Sequence, residues 1–192
     1  SVNPEKSVLI IGASGGCGIA GIQLCKAMGV GCIVGICSKA NSDFIREAGA
    51  TEVVCYDDDN ALGDFFEKNK AKFDCVYDAA TGSGKGEDYW ETSLDLLKID
   101  TNGECLGEYV ALNGPPKKWV RALSGYQKPH QTIMMMKSNS SDLDLVVSLL
   151  SKIKATPVIN VVPFSDEGLV GAFDALKSRR VKGKIVFDLQ DK

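Results

Sequence analysis

The residues best suited to chemistry form a glycine cluster directly after a short apolar run. The cluster consists of Gly12, Gly15, Gly16 and Gly18. Residues 8–11 before it show no polar alternation, which is typical of a parallel strand buried on both faces. Apolar side chains then recur at helical spacing over residues 20–28. Because glycines let the backbone turn sharply and bring a pyrophosphate close to the amides of a helix N-terminus, this order predicts a dinucleotide-binding βαβ unit.

The glycine spacing fits two nucleotide-binding fingerprints. Ala13, Gly15 and Gly18 follow the G-x-G-x-x-G pattern with alanine in the first place. Gly12, Gly16 and Gly18 instead have the G-x-x-x-G-x-G spacing of short-chain dehydrogenases. That class also needs a catalytic tyrosine with a lysine four residues later, and none of the five tyrosines has one.

Length and charge limit the classes of partner. The 192 residues suit one domain with a small appendage, which we place at residues 1–155 and 156–192. A net charge of -3 without a basic block argues against nucleic acid. No apolar run reaches the roughly 20 residues of a membrane span, so we expect no membrane partner. The small-molecule substrate that we also expect is implied by the family resemblance described below.

Seven cysteines and a single histidine, His130, are spread along the chain without a C-x-x-C pair. This pattern predicts no metal site. We expect reduced thiols, several of them small buried residues in strands. Reduced thiols indicate a reducing compartment, so the predicted location is the cytoplasm, with the mitochondrion as the alternative.

The end of the second predicted strand, residues 32–37, indicates which dinucleotide binds. In NAD-specific domains an acidic residue there bonds the adenosine ribose. Here Ser38, Lys39 and Asn41 follow instead, and a hydroxyl, an ammonium and an amide suit a 2′-phosphate, which favours NADPH. The alternative is that Lys39 is only a solvated residue and that Ser38 or Asn41 only caps a helix.

Later strands add candidates at their carboxyl ends, where ligands of open α/β sheets bind. Tyr56 follows the strand at residues 53–56 and is expected either near the adenine or as a cap on the core. Ala79, Ala80 and Thr81 follow residues 73–77 and would line the nicotinamide end of the groove. Asn113 would reach the groove from the strand at residues 109–112.

The sixth predicted strand runs from Thr132 to Met136. Its methionines are interpreted as core residues rather than as a partner surface. If the strand lies at the edge of the sheet, pairing with a second copy would cover its backbone groups, which predicts a homodimer. A monomer at every concentration in sedimentation would contradict that. Residues 141–153 predict a helix, and the tail predicts strand, helix and strand over residues 158–162, 165–176 and 184–187.

Four stretches together resemble the zinc-independent medium-chain dehydrogenase/reductases of the quinone oxidoreductase-like branch. They read VLIIGASGGCGIAGIQLCKAMG, IREAGATEVVCY, FDCVYDAATG and PFSDEGLVGAFDALKSRRVKGKIVF. The resemblance implies an α/β Rossmann fold: a doubly wound parallel sheet with helices on both faces and a small C-terminal β-α-β appendage. It also implies that Gly15, Gly16 and Cys17 offer amides to the pyrophosphate, and that Arg179, beside Arg180 and Lys182, reaches the cofactor.

The resemblance further implies a substrate domain that is absent from this chain and against which residues 156–192 would pack. The expected activity is NADPH-dependent hydride transfer to a quinone or to an enone or other activated alkene. The alternative is a non-catalytic nucleotide-sensing or scaffold protein that retains the cofactor domain. No catalytic residue is assigned, and this fragment alone is expected to be weakly active or inactive.

Overall fold

Parallel strands build the central sheet of this protein. The computed structural model describes residues 3–58, 60–81, 89–126, 128–135, 139–178 and 181–189. Within those ranges the strands are β1 (Ser7–Ile11), β2 (Cys32–Cys37), β3 (Glu52–Cys55), β4 (Cys75–Asp78), β5 (Glu108–Ala111), β6 (Gln131–Ile133), β7 (Ile159–Pro163) and β8 (Lys184–Asp188). The helices are α1 (Gly16–Ala27), α2 (Ser42–Ala48), α3 (Ala61–Lys68), α4 (Trp90–Leu94), α5 (Pro116–Leu123), α6 (Ser140–Lys152) and α7 (Asp166–Ser178), with a 3-10 turn at Lys39–Asn41.

The main sheet has the strand order β3-β2-β1-β4-β5-β6, and its described pairs are all parallel. The chain therefore reverses its direction of winding between β1 and β4, which is the topological switch point where α/β proteins bind ligands. Helices α1 and α2 cover one face, and α3, α4 and α5 contribute to the core on the other. The predicted doubly wound Rossmann fold is confirmed.

Strand β1 shows why its sequence is apolar without alternation. Leu9 and Ile11 belong to the core on one face of the sheet, whereas Ile10 belongs to the core on the other. All three are at most 1% exposed. A strand buried on both faces needs apolar side chains at every position, as the run at residues 8–11 predicted.

A polar cluster joins β1 to β4 at their amino ends, opposite the glycine turn. Asp74 accepts hydrogen bonds from Lys98 Nζ (2.6 Å), Lys6 Nζ (2.9 Å) and the backbone N–H of Ser7 (2.8 Å). Burial alone would raise the pKa of Asp74, but these donors outweigh it and hold the pKa well below its usual range. The carboxylate thus anchors the amino edge of the sheet.

The strand boundaries differ from the predicted ones by one or two residues at β3, β4 and β5, and by more at β6. Strand β6 ends at Ile133, and Met134 and Met135 beyond it are 39% and 46% exposed. The interpretation of these methionines as core residues is therefore wrong, because the chain leaves the sheet before their side chains can be buried. Met136 lies outside the described residues. Strand β6 does lie at the edge of the sheet, as the homodimer hypothesis assumed.

The C-terminal part forms its own β-α-β unit. Strands β7 and β8 pair in parallel, with α7 between them in the chain, which confirms the predicted appendage. The boundary between residues 155 and 156 stays a prediction. In the part of the chain that the structure describes, no helix combines the length and the apolar character needed to cross a bilayer.

Candidate functional site

A cavity of about 210 Å³ lies at the carboxyl ends of β1, β2 and β4, at the switch point of the sheet. Its walls come from the glycine turn, from the ends of these strands and from two more distant segments. They are Ile11, Gly12, Ser14, Gly15, Ile36, Cys37, Tyr56, Ala79, Ala80, Tyr89 and Val181.

The glycine turn between β1 and α1 is packed at van der Waals limits. A Cβ atom on Gly18 would lie 2.3 Å from the carbonyl oxygen of Gly12 and 2.6 Å from Ala13 Cα, so only glycine fits there. The N–H of Gly15 donates to the Gly12 carbonyl (3.1 Å), which closes the turn, and the N–H of Ile19 donates to the Gly15 carbonyl (2.9 Å), which starts α1. The first amides of a helix have no partner within it and carry the positive end of its dipole. This turn therefore suits a pyrophosphate.

The loop after β2 is tied to the glycine turn by a side-chain bond. Asn41 Nδ2 donates to Ser14 Oγ (3.2 Å), and neither Ser38 nor Asn41 makes a side-chain capping bond. Both residues nevertheless occupy N-cap positions, Ser38 before the 3-10 turn and Asn41 before α2, as the capping alternative has it. Lys39 is exposed, and its backbone N–H donates to the Asp57 carboxylate (2.7 Å). Asp57 brings a negative charge to this loop from the end of β3.

A buried carboxylate organises the loop after β4. Asp78 is 1% exposed, and its Oδ1 accepts the backbone N–H groups of Ala80 and Thr81, both at 2.8 Å. Its Oδ2 accepts the hydroxyls of Thr81 and Tyr109. The Thr81 hydroxyl also accepts the N–H of Tyr89 (3.0 Å), a residue that lines the cavity. Asp78 therefore fixes the backbone that presents Ala79 and Ala80 to the cavity.

The predicted site residues fall into three groups. Those on the cavity wall are Gly15, Tyr56, Ala79 and Ala80. Those beside it are Gly16 and Cys17 in the first turn of α1, and Ser38, Lys39 and Asn41 after β2. Those that the structure does not bring to the wall are Ala13, Gly18 and Thr81, which are buried, and Asn113, whose Oδ1 accepts the Trp119 N–H (2.9 Å). Arg179 lies outside the described residues.

Six wall residues belong neither to the predicted site candidates nor to the glycine cluster: Ile11, Ser14, Ile36, Cys37, Tyr89 and Val181. Ser14 and Cys37 are adjacent to the candidate motifs, and the hydroxyl of Ser14 between glycines was the available signal. Tyr89 and Val181 reach the cavity from distant segments, and no local pattern marks them.

Two cavities of more than twice this volume also lie among the described residues. One of about 540 Å³ is lined by Cys17, Tyr77, Leu112, Trp119, Met134 and Met135, beside the carboxyl ends of β4, β5 and β6. Burial raises the pKa of Tyr77 to about 12, so its hydroxyl stays protonated. The other, of about 610 Å³, lies between α7 and the β7–β8 pair, and it shares Val181 with the cavity at the glycine turn. Most of its wall residues are small or apolar side chains, which carry no catalytic groups. We therefore do not take this cavity as the active site, despite its larger volume.

A match between this sequence and a family model shows which protein family the chain belongs to. Residues 48–187 match the family described as zinc-binding dehydrogenases, which is more than half of the chain. The chain belongs to this family. Together with the relatives named next, the match confirms membership of the medium-chain dehydrogenase/reductases, in the quinone oxidoreductase-like branch.

Relatives of this chain include several oxidoreductases. The mouse mitochondrial NAD(P)H oxidoreductase RTN4IP1 is 41% identical over 199 residues, covering 96% of this chain and 48% of that protein. The trans-enoyl reductase pgmF of Aspergillus terreus is 29% identical over 198 residues, covering 97% and 52%. The quinone oxidoreductase of Coxiella burnetii superposes with a TM-score of 0.73 at 26% identity, covering 98% of this chain and 54% of that one. The chain therefore spans about half the length of these relatives.

The zinc named in the family description does not fit the described residues of this chain. Across those ranges, no three His, Cys, Asp or Glu side chains come together as metal ligands. This agrees with the zinc-independent branch of the family, and no step is assigned to a metal.

Proposed function

We propose that this chain binds NADPH and forms the cofactor half of a reductase acting on a quinone or on an enone or other activated alkene. The observation that carries the proposal is the glycine turn, in which Gly18 is pressed against Gly12 at the switch point of the sheet. A pyrophosphate fits there against the first amides of α1. When bound, the nicotinamide supplies the hydride, and the protein supplies binding, orientation and a dry surface.

NADPH rather than NADH is proposed from the charges after β2. Lys39 offers an ammonium, and Ser38 and Asn41 offer a hydroxyl and an amide, at the place where the adenosine ribose would lie. Asp57 opposes a phosphate there, but its Oδ1 already accepts the Lys39 N–H (2.7 Å) and its exposed charge is screened by solvent. The proposed preference for NADPH over NADH therefore depends on the positive charge of the Lys39 side chain.

The substrate class is proposed from the cavity of about 540 Å³. Its walls include Tyr77, Leu112 and Trp119, which are apolar or aromatic, and it lies at the same edge of the sheet as the cofactor cavity. A flat, weakly polar acceptor suits such walls better than a charged one. The names of the enoyl reductase and quinone oxidoreductase relatives support the same choice.

Fluorescence titration of this protein with NADPH and NADH in parallel tests the cofactor. We expect tighter binding of NADPH, and Lys39→Ala should weaken it about tenfold, as for a lost hydrogen bond to a charged group, while leaving NADH nearly unchanged. Lys68→Ala is the matched control, because Lys68 lies on α3 and pairs with Asp64 (3.2 Å). Equal binding of both dinucleotides by the unmodified protein would contradict the phosphate assignment.

Turnover is tested on a longer protein that carries this chain together with a substrate domain. We propose that such a domain packs on the C-terminal unit, where Val161, Val170 and Phe173 are about 60% exposed. NADPH oxidation with a panel of quinones and enones is the expected result. Binding without any turnover would favour the nucleotide-sensing alternative.

The edge of the main sheet is a proposed contact between two copies. Strand β6 has no neighbour on its outer side among the described strands, and the exposed Met134 and Met135 follow it. Pairing of this edge with its counterpart would cover both features. Sedimentation over a range of concentrations distinguishes this dimer from a monomer.

A further inference from the structure

The C-terminal unit contacts the glycine turn through the backbone around Gly183. The backbone N–H of Gly183 donates to the carbonyl oxygen of Ser14 (3.3 Å), and Gly15 and Gly183 form an isolated parallel bridge. Val181, two residues earlier, lines the cofactor cavity. Residues 181–184 therefore act as a brace against the glycine turn, from a part of the chain that is remote in sequence.

The brace fits closely on both of its sides. Gly183 has a φ of +68°, and a Cβ atom there would lie 2.2 Å from the carbonyl oxygen of Val158. A Cβ atom on Gly16 would lie 3.1 Å from the carbonyl oxygen of Gly183. The turn at residues 182–184 thus sits between β7 and the start of α1 with little room to shift.

One side chain of β7 holds this turn in place. Asn160 Nδ2 donates to the carbonyl oxygens of Lys182 (2.7 Å) and Lys184 (3.3 Å), which flank Gly183 on either side. The amide side chain therefore orients the peptide groups that present the Gly183 N–H to Ser14. It does so without touching the cavity itself.

We propose that Asn160 is a positioning residue for the cofactor. Its side chain fixes the conformation of the turn at residues 182–184. That turn fixes the position of the Ser14 and Gly15 backbone, where the pyrophosphate would bind. The inference rests on the proposed NADPH binding for its consequence, but the coupling between Asn160 and the glycine turn is a property of the protein without a ligand.

The test replaces Asn160 by aspartate, which has the same shape. Asn160→Asp removes both N–H donors and turns a carboxylate oxygen toward two carbonyl oxygens, so the turn should open. In fluorescence titration we expect NADPH to bind about three- to tenfold more weakly, the loss typical of one exposed hydrogen-bonded contact. Binding of 2′,5′-ADP, which lacks half of the pyrophosphate and the nicotinamide, should fall less.

Hydrogen exchange gives a second readout that needs no cofactor. In Asn160→Asp we expect faster exchange at the amides of Gly183 and Gly15, with an unchanged melting temperature. Asn102→Ala is the matched control, since Asn102 also bonds through its amide, to Asp100, in an exposed turn that does not line the cavity. It should change neither readout.

The outcomes separate the two proposals. If NADPH does not bind to the unmodified protein, the proposed function fails, and the exchange rates still decide on Asn160. Unchanged exchange at Gly15 in Asn160→Asp would overturn the positioning role. So would a loss of NADPH affinity that the Asn102→Ala control shares.

Discussion

Gly18→Ala is expected to be among the most damaging single-methyl additions in this protein. The new Cβ atom would lie 2.3 Å from the Gly12 carbonyl oxygen and 2.6 Å from Ala13 Cα, and neither is a flexible side chain that could move aside. Because Ala13 is fully buried and its N–H donates to the Ile36 carbonyl (3.0 Å), the turn cannot shift without breaking the bond to β2. We expect a loss of about 3 kcal/mol in the free energy of unfolding, at the upper end for overpacking.

The same substitution should remove NADPH binding within the range of a fluorescence titration, because the start of α1 is displaced from the pyrophosphate. Gly63→Ala is the matched control: Gly63 lies in α3, and an added Cβ atom there meets nothing within 4 Å. Alanine in an open helical position should stabilise the fold by roughly 0.5–1 kcal/mol. Urea unfolding measures the free energy of unfolding of both variants. Equal values for Gly18→Ala and Gly63→Ala would contradict the close packing around Gly18.

Local sequence patterns predicted the centre of the sheet well because β1 and β2 are buried on both faces. The apolar run before the glycines fixed the place of β1, and the spacing from Gly12 to Gly18 indicated the turn. Both depend on neighbours in the chain alone. Strand ends were less accurate, since β4 extends to Asp78, a buried polar residue whose partners include the distant Tyr109 hydroxyl.

Contacts between residues that are distant in the sequence could not be predicted from local patterns. Val181 and Tyr89 line the cavity although both are remote from the glycine turn in sequence, Val181 in the C-terminal unit and Tyr89 directly before α4. The bond from Asn41 to Ser14 depends on how the 3-10 turn after β2 lies against that turn. The prediction that the methionines after β6 are buried was wrong for a related reason. Whether a side chain at an edge strand is buried depends on what covers that edge, and the sequence of the strand does not show what covers it.

Asp78→Ala is expected to have the second large effect, through the loop that carries Ala79 and Ala80. The substitution leaves the N–H groups of Ala80 and Thr81, and the hydroxyls of Thr81 and Tyr109, without the oxygens that accept them. A buried donor left without an acceptor costs about 1–3 kcal/mol, so the combined loss should be about 4 kcal/mol after partial relaxation. Cofactor affinity should fall as well, because the loop forms part of the cavity wall.

Asp78→Asn separates the role of the carboxylate from that of its shape. The asparagine Oδ1 can still accept the N–H groups of Ala80 and Thr81, while its Nδ2 faces two hydroxyls that can rotate and accept from it. We therefore expect Asp78→Asn to lose about half as much as Asp78→Ala, and Tyr109→Phe, which removes a single donor, to lose about 1 kcal/mol. Chemical unfolding of the three variants would contradict this network if Asp78→Ala were no less stable than Tyr109→Phe, since one hydroxyl would then account for the whole contribution of the carboxylate.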